Sequence, residues 1–168
     1  MRKGRFLILF FMALLATVSG RAQIVRAEVG VNGLTCSQCS RSVEMELRKL
    51  PFVQKVDMNL EHTSGIVLFK PGSRVSVDKL TRAVVNAGFS TRFVRLTFDF
   101  KAIHPGTECF TVGQDAFYFL QPLSASHPEQ MTFQVIAKGF LPDKALRQFV
   151  LKPSGDCRAK EKFYLKAI

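Results

Sequence analysis

The spacing of apolar residues between positions 24 and 96 changes from that of a strand to that of a helix and back, twice over. Residues 24–31 alternate apolar and polar side chains, which predicts a half-buried strand. Val43, Leu47 and Leu50 then recur at helical spacing, and Pro51 is expected to end that helix. The predicted elements are a strand at 24–31, a helix from 39, a strand from 53, a strand at 66–69, a helix between Ser76 and Gly88, and a strand from 89.

This order of elements, βαββαβ within about seventy residues, predicts a ferredoxin-like sandwich, with two helices covering one face of a four-stranded antiparallel sheet. The fourth strand is longer than such a sheet requires, because Leu96, Phe98 and Phe100 continue its alternation. We therefore expect this strand to enter the second half of the chain, where it would couple the two halves and cover an exposed sheet edge.

The C-terminal half is expected to be a small module made mostly of strands. Its short apolar runs are at 109–112, 116–120, 131–137, 149–152 and 162–167. Segments rich in turn-forming residues separate these runs, as in small all-β modules. A helical turn is indicated only within PDKALRQF, so the whole chain is expected to be of the α+β class.

The first residues of the chain have the pattern of an export signal. Arg2, Lys3 and Arg5 precede an apolar run at 6–18, and small residues follow as far as Ala22. This order is typical of a secretory signal peptide, with cleavage expected after Ala22. The run is shorter than the roughly 20 apolar residues of a membrane span, although an uncleaved anchor is the alternative. The cleaved protein is expected to be periplasmic or secreted, without a stable membrane span.

The predicted parts are a signal peptide at 1–22, a ferredoxin-like domain at 23–98 and a β-rich module at 99–168.

Basic residues outnumber acidic ones, 24 to 13, and the formal net charge is +11. Four of the basic residues lie in the predicted signal peptide, so the remaining 20 basic and 13 acidic residues give a net charge of +7. This charge is spread along the chain, and nucleic acid is a poor candidate partner outside the cytoplasm. A mild affinity for anionic surfaces or acidic partners is the property that the charge favours.

The four cysteines form two unlike pairs. Cys109 and Cys157 are far apart, and in an oxidising compartment such a pair predicts a disulfide, worth roughly 3–4 kcal/mol from loop entropy. Two buried free thiols are the alternative. Cys36 and Cys39 are three residues apart, which indicates a metal-binding or redox motif.

Residues 24–96 resemble the heavy-metal-associated domain family, which includes small copper chaperones, metal-binding modules of copper-pumping ATPases and periplasmic mercury-binding proteins. The family motif, G-M-x-C-x-x-C after the first strand, reads GLTCSQC here and contains Cys36 and Cys39. Leu34 replaces the usual Met, which packs beneath the loop. The segments LPFVQKVDMNLEHTSGIVLF and VDKLTRAVVNAGFSTRF resemble the later elements. The resemblance implies that Phe89 is the aromatic residue that the family places beside its site.

The two clustered cysteines are expected to bind a soft metal ion as thiolates. The start of a helix favours negative charge, and Arg41 adds a positive charge nearby. Two thiolates without a further ligand suit soft ions, so we rank Cu(I) first, Hg(II) second and Zn(II) third. Structural Zn(II) prefers four ligands, and Thr35 stands where zinc-binding family members carry an acidic residue. His62, His104 and His127 lie in predicted turns and are expected to be solvated.

The predicted function is that of an exported, non-enzymatic protein that binds a soft metal ion and passes it on. The family resemblance implies a partner protein with its own soft-metal thiolate site, which would attack the metal through a three-coordinate intermediate. A thiol-disulfide oxidoreductase using the same two cysteines, an Hg(II)-scavenging protein, and an interaction module with a vestigial motif are the alternatives. No catalytic residue is predicted, and the sequence does not indicate an oligomeric state.

Overall fold

The computed structural model describes residues 23–103, 105–153 and 155–168. The predicted signal peptide at 1–22 and the predicted turn residue His104 lie outside the described residues. The elements are β1 (Ile24–Asn32), α1 (Ser37–Arg48), β2 (Val53–Asn59), β3 (Ser64–Phe69), α2 (Val77–Asn86), β4 (Ser90–Asp99), β5 (Cys109–Val112), β6 (Asp115–Phe119), β7 (Gln130–Ile136), α3 (Asp143–Leu146) and β8 (Glu161–Ala167).

Helix α1 begins two residues earlier than the sequence predicts. Its first residue is Ser37 and Cys36 occupies the N-cap position, whereas the apolar spacing had indicated a start at Cys39. The spacing of apolar residues could not reveal this first turn, because the first buried apolar residue of α1 is Val43. Val43 and Leu47 are buried as predicted, so the helix packs on the sheet through the expected face.

Helix α2 ends in a tight turn that carries the chain into β4. Gly88 has a φ of +87°, a left-handed conformation that a glycine adopts without the strain of a Cβ. The Gly88 N–H donates to the Val85 carbonyl at 2.9 Å and the Phe89 N–H to the Val84 carbonyl at 3.1 Å. This pair of hydrogen bonds is a Schellman motif. It fixes the position of Phe89 at the end of the sheet where β1 also ends.

The ferredoxin-like α+β fold is confirmed. Strands β2, β3, β1 and β4 are adjacent in that order and antiparallel. Helices α1 and α2 contact each other, and they pack on β2 and β4 respectively. In the described residues the sheet has eight strands, because β4 also pairs with β7 from Arg95 to Asp99. The expectation that β4 enters the second half and loses its free edge is therefore confirmed. The predicted domain boundary after residue 98 lies inside this strand and stays a prediction.

Four of the five strands predicted in the C-terminal half are confirmed to within one residue at each end, as β5, β6, β7 and β8. The strand predicted at 149–152 is wrong. Phe149 closes a turn after α3, with its N–H donating to the Leu146 carbonyl at 3.1 Å, and the next residue, Val150, is 76% exposed. The helical turn predicted in PDKALRQF is confirmed as α3.

The sheet curls so strongly that its two halves share one core. Adjacent strands lie about 4.8 Å apart, so β6 would be about 14 Å from β4 in a flat sheet. Phe98 of β4 nevertheless lies 5.1 Å, centroid to centroid, from Phe117 of β6 and from Phe110 of β5. Phe98 is fully buried. The C-terminal strands therefore fold back over β4 and seal the end of the ferredoxin-like core.

Among the described residues, no helix is both long and apolar enough to cross a bilayer.

Candidate metal centre

The loop between β1 and α1 is held by a buried leucine. Gly33 has a φ of +77°, and the Thr35 N–H donates back to the Gly33 carbonyl at 3.0 Å. This narrow turn directs Leu34 into the core, where only 1% of its surface is exposed. Leu34 thus occupies the packing position predicted for it, whereas residues 35–38 are exposed.

Cys36 and Cys39 lie together at the first turn of α1. The Cys36 Sγ accepts a hydrogen bond from the Cys39 backbone N–H at 3.1 Å and so serves as the helix cap. The two Cα atoms are 5.2 Å apart, and the structure joins the sulfur atoms in a disulfide. Cys36 is exposed, whereas Cys39 is half-buried and packs against the core. One sulfur atom therefore faces solvent while the other is backed by apolar side chains.

The charge around this turn favours a sulfur anion. The first turn of α1, which is described in full, contains no acidic residue. The unpaired N–H groups at a helix start carry partial positive charge, and one of them already points at the Cys36 Sγ. Arg41 is exposed on the next turn and adds a full positive charge. The electrostatic environment of this turn is therefore positive.

The neighbouring loops enclose the same end of the sheet without supplying an obvious further ligand. Phe89 is half-buried and packs against the core, as Cys39 does. The His62 side chain is exposed, and its backbone carbonyl accepts a hydrogen bond from Arg92 at 2.6 Å. In the part of the chain that the structure describes, no group of three or more His, Cys, Asp or Glu side chains is placed to hold a metal ion.

The family model of the heavy-metal-associated domain matches residues 28–90, which contain the loop and both cysteines. The mercuric transport protein periplasmic component of Alcaligenes sp is 34% identical over 87 residues, which is 52% of this chain and 92% of that protein. The chain belongs to the heavy-metal-associated domain family.

Two further proteins are similar to about two fifths of the chain. Copper-transporting ATPase 1 of Rhizobium meliloti (strain 1021) is 36% identical over 70 residues, covering 42% of this chain and 8% of the ATPase. The crystal structure of oxidized MerP from Ralstonia metallidurans CH34 is 34% identical and covers 40% of this chain and 93% of that one, with a TM-score of 0.37.

The second cysteine pair lies outside the heavy-metal-associated domain. The structure joins Cys109, at the start of β5, to Cys157, with their Cα atoms 6.2 Å apart. Cys109 is buried, and the Tyr118 hydroxyl donates a hydrogen bond to the Cys157 carbonyl. The irregular segment before β8 is thereby fastened to the outer strands of the sheet.

A contact that the sequence did not reveal joins the C-terminal half to α2 of the heavy-metal-associated domain. The turn between β5 and β6 faces the start of α2 across a cleft of about 820 Å³. Burial and the nearby Asp78 carboxylate raise the pKa of Asp115 from 3.8 to about 6, although the neighbouring Val77 backbone N–H acts to lower it. Ser76, at the N-cap position, donates its hydroxyl to Asp78 at 2.6 Å. Asp115 therefore lies beside the helix N-terminus that Ser76 leaves uncapped.

Proposed function

We propose that the chain is an exported carrier of one soft metal ion, held between the thiolates of Cys36 and Cys39. The observation that carries this proposal is the pair of adjacent sulfur atoms at an exposed helix N-terminus, with Cα atoms 5.2 Å apart, in a heavy-metal-associated domain. We rank Cu(I) first, Hg(II) second and Zn(II) third, because two sulfur ligands suit a soft ion and structural Zn(II) prefers four ligands.

The binding step requires the reduced form of the pair. An external dithiol would reduce the disulfide by supplying two electrons and two protons, which leaves two thiols on this chain and converts the dithiol to a disulfide. Each thiol then gives up its proton as the metal binds, so that Cu(I) forms a complex with a charge of −1, and Hg(II) a neutral one. The helix N-terminus and Arg41 stabilise the negative complex, which supports Cu(I) over Hg(II).

The release step would begin at Cys36. Because Cys36 is exposed and Cys39 is half-buried, a thiolate of a partner protein can reach the metal from the side of Cys36. The ion would be three-coordinate until its bond to Cys36 breaks, and a second thiolate of the partner would then replace Cys39 in the same way, so that the ion leaves bound to two sulfur atoms of the partner. The proposed partner is accordingly a protein with its own soft-metal thiolate site. Metal transfer of this kind needs no acid or base catalyst, and we propose that the chain is not an enzyme.

The proposed location is the periplasm or the extracellular space, after cleavage behind Ala22. The name of the Alcaligenes relative, a periplasmic component, supports this location, as does the predicted disulfide between Cys109 and Cys157. The proposed mature protein consists of a metal-binding domain at 23–98 and a β-rich module at 99–168 that shares its core.

Thiol-disulfide exchange is the second candidate function, and one observation favours it. The structure joins Cys36 to Cys39 with a Cα separation of 5.2 Å, inside the usual range for a disulfide. An oxidoreductase would reduce or oxidise a substrate disulfide catalytically through this pair. Turnover of a disulfide substrate without tight metal binding would support this candidate and contradict the carrier.

An anaerobic competition titration tests the proposal. The reduced protein is titrated with Cu(I), and separately with Hg(II), against a chelator of known affinity. We expect one ion per chain, loss of tight binding in the Cys36→Ser/Cys39→Ser variant, and unchanged binding in the matched Cys109→Ser/Cys157→Ser variant. Binding that persists without Cys36 and Cys39 would refute the assignment of the site.

A further inference from the structure

The C-terminal half contains a cavity that the metal site does not use. The cavity measures about 440 Å³, within the range of roughly 300–1,000 Å³ that is usual for small-molecule sites. Its walls are the segment after β6, the turn after α3 and the end of β8. Most of its lining is apolar and includes Phe119, Leu123, Met131, Phe133 and Leu165. A cavity of this size and lining can bury a compact apolar body.

Among the described residues that line this cavity, Lys166 is the only lysine or arginine and His127 is the only histidine. The Lys166 ammonium lies 5.7 Å from the centroid of the Phe149 ring, and both residues belong to the lining. Among the described residues Lys166 has no ion pair, and none of those lining the cavity is acidic. The electrostatic complement of the rim is therefore a single negative charge.

The rim also exposes apolar surface that an occupant would cover. Val150 belongs to the lining and is 76% exposed. Gln148 and Ser126 add neutral hydrogen-bonding groups at the same walls. An apolar interior with a cation and neutral donors at its edge matches a ligand that has an apolar tail and an anionic head.

We propose that this cavity binds a small amphiphilic carboxylate, of the size of a medium-chain fatty acid. The tail lies among Phe119, Met131 and Leu165, and the carboxylate pairs with Lys166 at the rim. The site is separate from Cys36 and Cys39, so its occupation does not depend on the metal.

Isothermal titration with decanoate and octanoate, each below its micelle-forming concentration, tests this proposal on the oxidised chain. Each methylene group that becomes buried is expected to tighten binding about fourfold, so decanoate should bind about 16-fold more tightly than octanoate. Decanol, which lacks the charge, is the ligand control. Its affinity should be the same for the wild type and for Lys166→Gln.

Three variants separate the proposed site from adsorption at the surface. Lys166→Gln is expected to weaken decanoate binding about tenfold, because it removes a charged hydrogen-bond partner. Val150→Asp places a negative charge at the rim, on an exposed side chain that folding does not require, and should weaken binding as well. Lys162→Gln alters a lysine on the same strand that is not part of the lining, and it should bind like the wild type.

The proposal is overturned if decanoate does not bind, or if all three variants bind it as tightly as the wild type does. Equal losses in Lys166→Gln and Lys162→Gln would overturn it too, since they would show attraction to the overall positive charge. The Cys36→Ser/Cys39→Ser variant should bind decanoate normally, and a loss there would contradict the independence of the two sites.

Discussion

Asp115 lies beside the start of α2, and its ionisation there makes the stability of the protein depend on pH. Its pKa is raised from 3.8 to about 6, first by burial and then by the Asp78 carboxylate. These two effects outweigh the helix N-terminus and the Val77 N–H, which favour the ionised form. A raised pKa means that the folded protein binds this proton more tightly than the unfolded chain does. Between about pH 4 and pH 6 the folded state holds more protons, so stability falls as the pH rises.

Replacement of Asp115 by asparagine removes the ionisation and keeps an oxygen that can accept the Val77 N–H. The full pKa shift corresponds to about 3 kcal/mol for a fully buried group. Asp115 is only half-buried, so solvent screening reduces our expectation to about 1 kcal/mol. Asp115→Asn should therefore be more stable than the wild type by about that amount at pH 7. Below pH 4, where the wild-type carboxyl group is protonated, the two proteins should be equally stable.

Urea unfolding at a series of pH values from 3.5 to 8 measures this difference directly. Asp156→Asn is the matched control, because Asp156 pairs with Arg158 on the open surface, with 86% of its side chain exposed. The control should show a small difference from the wild type that does not change between pH 4 and pH 7. If Asp115→Asn were less stable than the wild type at pH 7, or if its advantage did not vary with pH, the raised pKa of Asp115 beside α2 would be refuted.

Two further predictions concern the shared core and the second cysteine pair. Phe98→Ala should lower the free energy of unfolding by about 3–5 kcal/mol, because a fully buried ring is lost from between the two halves. Urea unfolding should remain a single transition, and two separate transitions would argue against one core. Cys109→Ala/Cys157→Ala should cost about 4 kcal/mol, since this disulfide closes a loop with a separation of 48 residues. Alkylation of the unreduced protein should leave both thiols unlabelled, whereas labelling would contradict the bond.

The ferredoxin-like half could be predicted from sequence because its signals are local. Val43 and Leu47 recur at helical spacing and are buried on one face of α1. Gly88 supplies the left-handed residue that the end of α2 requires. Each of these features depends on residues within a few positions of one another, so the periodicity of the chain reveals them directly.

The apolar spacing predicts a start of α1 that is two residues too late, because the signal for this start is a capping pattern and not an apolar one. Cys36 and Cys39 occupy the N-cap and N3 positions, the same spacing as in a Ser-x-x-Glu capping box. The Cys36 Sγ accepts the N–H that a serine hydroxyl would otherwise accept. The spacing of the two cysteines thus indicates both the candidate site and the first turn of the helix.

The features that sequence reasoning missed arise from contacts between distant segments. The curl of the sheet brings Phe98 against Phe110 and Phe117, and no local pattern specifies that approach. Asp115 meets α2 only because of the same curl. The strand predicted at 149–152 failed for a related reason, since a short apolar run without alternation fits a turn over a cavity as well as it fits a strand.

X-ray absorption spectroscopy of the Cu(I)-loaded chain tests most directly whether two cysteine sulfurs are sufficient to hold the ion. The account predicts a copper ion bound by two sulfur atoms with no nitrogen neighbour, and a signal that disappears in Cys36→Ser/Cys39→Ser. A nitrogen ligand, four sulfur ligands, or a spectrum that is unchanged in that variant would contradict it.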